Sequence, residues 1–137
     1  MNIRHILKLI AATLLVMIVN VLVSVLVVTV YAHLINTGHP NQFYEEFATN
    51  SAPYISIIAG FPLMLSLCWW LSRRWPPELV MRSVILIWMF YAVIDITIVM
   101  ASGEVTSRLA LLVTVSMITK LIAAVMGGKL GSRQQAA

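Results

Sequence analysis

Two charged side chains lie where charge is costly. Asp95 and Lys120 each sit inside an otherwise apolar stretch. A carboxylate or ammonium at the centre of a span costs about 2.5–3.5 kcal/mol on insertion scales, so such groups face the interior of a helix bundle and pair or line a pathway. Asp95 has the chemistry to take up and release a proton or a cation. The chain turns back near Gly103, which sets Asp95 level with about Leu111 and puts Arg108 only about 4–5 Å nearer the loop. An Asp95–Arg108 ion pair is therefore expected. Lys120 lies about 13 Å deeper than Asp95, too far for a direct bridge. Its stem is expected to snorkel to the nearer membrane surface. The alternative sets Lys120 against an anion, a lipid headgroup or a partner protein's acid.

Four further positions bear on the same region. Asn20 falls near the middle of the first span, where its amide needs a hydrogen bond, and interhelical packing accounts for it. Ser24 falls at the depth of Asp95. Gly60 and Pro62 interrupt the second span, and Pro62 frees the carbonyl of Ile58 and predicts a kink. Broken helices that present free carbonyls beside an acid are one way transporters coordinate cations. Asp95, Arg108, Lys120, Asn20, Ser24, Gly60 and Pro62 are thus the candidate intramembrane polar site.

Other chemistries find less. His33, His39, Glu45 and Glu46 gather around one loop, but without the tight spacing of a zinc or copper site, so a solvated loop is expected. No serine stands in a nucleophile-elbow context that would join a histidine and Asp95. The single cysteine, Cys68, lies between apolar and tryptophan residues and reads as a small buried apolar side chain. No cofactor and no catalytic residue are expected, and an enzyme is the least favoured class.

The elements that position these residues follow from hydropathy. Of 137 residues, 61% are hydrophobic and 10% charged, which leaves no room for a water-soluble core beside the apolar runs. Residues 9–35 contain no acid or base except His33, and about 20 apolar residues suffice to cross a hydrocarbon layer of about 30 Å. The first run is longer than a signal peptide's apolar core and lacks a small-residue cleavage site, so it is read as a retained span. Spans are expected over about 9–34, 53–72, 79–101 and 104–126. The many Val and Ile residues do not argue against helix, because in lipid the backbone must bond to itself. Between the first two spans, Phe43 and Phe47 share a face at a spacing of four, predicting a short helix on the membrane surface. Glu104 opens the fourth span, where a negative charge suits a helix N-terminus. Gly127 and Gly128 are expected to end it.

Charge sets the orientation. Arg4, Lys8, Arg73, Arg74, Arg82, Lys129 and Arg133 fall on one side and only Arg108 on the other, a strong positive-inside bias. The fold class is therefore all-α: a single-domain four-helix transmembrane bundle of two consecutive helical hairpins, with both termini cytoplasmic. The net charge of +4 comes from residues at span ends, so nucleic acid is not an expected partner. Ala123–Gly127–Gly131 and Ala124–Gly128 form faces that let helices approach closely, within the bundle or between subunits. The bilayer is the expected surrounding, with a homo-oligomer or a larger membrane complex as the assembly. The short termini suggest a bacterial cytoplasmic (inner) membrane. Two functions follow: an accessory or structural membrane protein fastened by Asp95 and Arg108, or a small oligomeric ion- or proton-coupled transporter or channel that uses Asp95.

Overall fold

The computed structural model describes residues 2–103 and 106–134. Among them the chain is all-helical: α1 (Ile3–Val30), α2 (Asn41–Ser72), α3 (Pro77–Ala101) and α4 (Ser107–Arg133). All four helices are long and apolar enough to cross a membrane. Glu104 lies outside the described residues.

Local chemistry sets the ends. α1 continues into a π-helical turn, Tyr31–Ile35, closed by the Asn36 amide donating to the Tyr31 carbonyl at 2.8 Å. Gly38 and Gly103 have φ of 89° and 71°, the left-handed region that a side chain disfavours, and each sits in a helix-connecting loop. α3 begins on Pro77, whose missing N–H would have no helical partner there, with Glu78 in its first turn. α4 begins at Thr106, whose hydroxyl accepts from the Leu109 amide at 3.2 Å.

Two elements are longer than the sequence suggests. Asn41–Ser72 is one unbroken helix, so residues 41–52 form the first turns of α2. In those turns Phe47 stacks on Tyr31, with ring centroids 3.8 Å apart, and Phe43 stacks on His39 at 4.4 Å. α4 runs through Gly127 and Gly128 to Arg133 instead of stopping near Met126. Those glycines do not break the helix because close packing against α2 and α3 offsets their lost backbone entropy. A Cβ on Gly127 would overlap the Leu65 carbonyl, and one on Gly131 would lie 2.5 Å from the Trp69 carbonyl. Gly128 packs on Val80 and Val84 in the same way. The small-residue faces of α4 are thus used within the bundle.

The packing is uneven along the bundle axis. The described chain ends lie beside the 73–76 turn: His5 bonds Ser83 at 2.8 Å and stacks edge-on to Trp75, and Gly131 meets Ser72. From this end upward, Leu9, Met64, Cys68, Val84, Ile87, Ala123 and Ala124 form a close-packed core. Burial stops at the level of Asn20, Tyr91 and Ser116. Beyond that level, toward the loops at 36–40 and 102–106, no described residue is buried. The bundle is closed at one end and splayed at the other.

Candidate functional site

A layer of polar side chains closes the top of the core, and Lys120 is its centre. Its ammonium donates to Ser56 Oγ at 2.8 Å, Ser116 Oγ at 2.8 Å and the Tyr91 hydroxyl at 3.0 Å. An ammonium has three donors, and here each meets one hydroxyl. The side chain is fully buried. The expected snorkelling does not occur, because oxygens from α2, α3 and α4 itself satisfy the head within the bundle. Ser116 lies one turn before Lys120 on the same face of α4.

Gly60 makes room for this arrangement. It is buried on α2 facing the lysine stem, and a Cβ there would stand 2.5 Å from Lys120 Cε. Asn20 completes the layer from α1: its Nδ2 donates to Ser56 Oγ at 3.1 Å and to the Tyr91 hydroxyl at 3.3 Å. Its Oδ1 is buried without a partner. Ser56 and Tyr91 thus each accept from both Lys120 and Asn20. A half-turn of the amide would let both hydroxyls donate to Oδ1 while still accepting from the ammonium.

Above the layer the helices part around a cavity of about 410 Å³. Asn20, Ser24, Ser56 and Ser116 reach it from below or beside, and Asp95 lines it from α3, one turn above Tyr91. Ser24 donates to the Asn20 carbonyl at 3.1 Å, a local bond that leaves its oxygen free to accept. Asp95 makes no hydrogen bond or ion pair among the described residues, and Lys120 is the cation whose charge acts on it through space. The remaining wall is largely apolar, including Val21, Val25, Leu112 and Val113.

A second cavity, of about 450 Å³, adjoins the first on the side of Gly103 and Thr106. The two share Thr49, Pro53, Leu109 and Leu112, and Arg108 lines the outer one. Here the sequence expectation is corrected. Arg108 does not pair with Asp95, and its guanidinium donates to the Tyr54 hydroxyl at 3.0 Å. Helical side chains lean toward their own N-terminus, and α3 and α4 begin at opposite ends of the bundle. Asp95 therefore leans down toward the layer and Arg108 up toward the loop.

The other candidates divide. Asn20, Ser24, Asp95, Gly60 and Lys120 are brought together. Pro62 is exposed on the outer side of α2, and neither it nor Ile58 borders a cavity. Pro53, whose ring frees the Thr49 carbonyl, takes the place expected of Pro62, since both residues line the two cavities. Cys68 is buried in the core. Ser56, Tyr91 and Ser116 were not singled out from the sequence. The signal for two of them was the four-residue spacing, Tyr91 to Asp95 and Ser116 to Lys120, that puts each on the face of a buried charge. Comparison with family models, curated proteins and solved structures finds no match for this chain.

Proposed function

We propose that this chain is a solute-binding protein of the bacterial inner membrane, a small oligomeric carrier or channel whose charged binding group is Asp95. The observation that carries the reading is the one-ended cavity: a tight core capped by the Lys120 layer, with a carboxylate in the open space above it that no described residue bonds. Pockets of a few hundred Å³, largely apolar with a few convergent polar groups, are the usual form of small-molecule sites. With both termini cytoplasmic, as the distribution of basic residues supports, the cavity faces outward and the closed end inward. Transport then requires the packed end to part while the open end closes, and a second subunit would supply walls that four helices alone do not.

Labelling of Ser24→Cys tests this reading. A membrane-impermeant thiol reagent applied outside intact cells should modify the introduced thiol, while buried Cys68 stays silent. An unreactive thiol in the Ser24→Cys variant, or one reached only from the cytoplasmic side, would exclude an outward cavity. Mass determination in mild detergent then separates a homo-oligomer from a heteromeric complex.

One observation favours a second reading, an accessory subunit of a larger membrane complex. Beyond Asn20, α1 has no buried residue, and Leu22, Leu26 and Leu34 are exposed. Lipid covers such a surface by default, and a partner helix packing there would give α1 the buried face it lacks beyond Asn20. Co-purification of a second membrane protein in fixed ratio supports this role.

A further inference from the structure

The geometry points to a ligand class for this cavity: a small apolar zwitterion, an amino acid with a hydrophobic side chain, held by its ammonium on Asp95 and by its carboxylate on Arg108. The inference rests on the reading of the cavity as a binding site and goes on to say what fills it.

Intramembrane charges usually pair directly. Here half-buried Asp95 and exposed Arg108 are held apart, in two cavities that share a wall. Among the described residues, Asp95 lines the inner cavity without a hydrogen bond, and Arg108 lines the outer cavity with a neutral phenol, Tyr54, as its hydrogen-bond partner. Lys120 does not compete for the ligand, because its three donors are engaged by Ser56, Tyr91 and Ser116. Among the described residues, the ionic groups that line the two cavities are thus one anion and one cation. A ligand with no net charge but charged at both ends matches them, whereas a simple amine or a simple acid leaves one of them unmet.

Asp95 is one turn above Tyr91 and Arg108 two turns above Ser116, so their backbones differ in height by about 6 Å. The opposed lean of the two side chains widens that gap, and an α-amino acid reaches over about 8–9 Å, two charge-assisted bonds of about 2.8 Å and about 3 Å within the ligand, so the exposed Arg108 side chain turns from Tyr54 to meet it. The walls between, Leu109, Leu112 and Val113, suit a hydrophobic side chain. The order of the charges also separates a free ligand from a lipid. In a zwitterionic phospholipid the phosphate lies deeper than the ammonium, but here the carboxylate is the deeper protein group, so the ligand's ammonium must lie below its acid.

Isothermal titration of the full-length protein in mild detergent tests this with three probes of one shape: L-phenylalanine, phenethylamine (no carboxylate) and 3-phenylpropanoate (no ammonium). Phenylalanine should bind at least tenfold more tightly than either. Asp95→Asn should cost phenylalanine and phenethylamine tenfold or more and spare 3-phenylpropanoate. Arg108→Gln should do the reverse, and Asp95→Glu should restore part of the loss. Phenethylamine binding as well as phenylalanine, or failure of all three to bind, overturns the proposal. So does displacement of phenylalanine by phosphatidylethanolamine in nanodiscs when phosphatidylglycerol has no effect, since the lipid is then the ligand. The Ser24→Cys labelling keeps the two failures distinct: an accessible thiol with no zwitterion preference leaves the cavity standing and removes only its assigned occupant.

Discussion

Gly60 and Lys120 are shaped to each other. The glycine on α2 offers no Cβ, and the lysine stem from α4 fills the space that one would need, 2.5 Å from Cε. That contact positions the ammonium against hydroxyls on α2, α3 and α4 together.

Gly60→Ala should therefore destabilise the bundle by about 1–3 kcal/mol, the usual cost of overpacking, even though alanine is the better helix former. Thermal unfolding in detergent measures it. In a Lys120→Ala background the same change should cost much less, a non-additivity of the kind expected for residues in contact.

Lys120 itself should separate charge from volume. Lys120→Met keeps most of the packing and removes the ammonium, and replacing buried ionic groups by apolar ones of similar size is often neutral or stabilising. Its unfolding temperature should match or exceed that of the unaltered protein. Lys120→Ala leaves a cavity and should lose about 2–5 kcal/mol, the range for large-to-alanine changes in a core. A large loss in both variants would mean that the hydroxyls depend on the charge rather than on the filled space.

At the closed end, Gly127→Val or Gly131→Val should separate α2 from α4, because the added atoms would meet backbone atoms near Leu65 or Trp69. Backbone cannot swing aside as a side-chain tip can, so loss of the folded protein on size-exclusion chromatography is expected. Gly103→Ala meets nothing within 4 Å, and its cost is confined to the strained φ of 71°, about 1 kcal/mol.

Tyr54→Phe removes only the hydroxyl that accepts from exposed Arg108. Its effect on stability should stay below about 1 kcal/mol, because water replaces a lost bond at an exposed site. Chemical denaturation resolves a change of that size.

How far the sequence carries is clear from particular residues. Four apolar runs specify four helices, because lipid leaves the backbone no other way to satisfy itself. Asp95 and Lys120 stand out as interior charges for the same reason. Their partners do not. Arg108 is near Asp95 in height, but a helix also fixes the direction in which each side chain leans, and that direction sends Arg108 to Tyr54. Lys120 reads as a snorkelling residue until Ser56 and Tyr91, far away in sequence, are set beside it. Gly60 is legible as an interruption, yet whether it bends a helix or admits a neighbour depends on what packs there. The small residues of α4 follow the same rule: their spacing announces a close approach, and only the three-dimensional arrangement names α2 and α3 as what approaches.

The buried ammonium has a consequence for biogenesis. A lysine in α4 weighs against that helix's partitioning into lipid by about 2.5–3.5 kcal/mol on translocon scales. Ser56 and Tyr91, two of its three acceptors, belong to segments synthesised earlier, and Ser116 travels with it. A nascent α4 that enters the bilayer beside α2 and α3 finds those oxygens waiting, whereas one released alone does not. The order of synthesis thus matches the order of need: the α2 and α3 oxygens that α4's ammonium requires precede it in the chain.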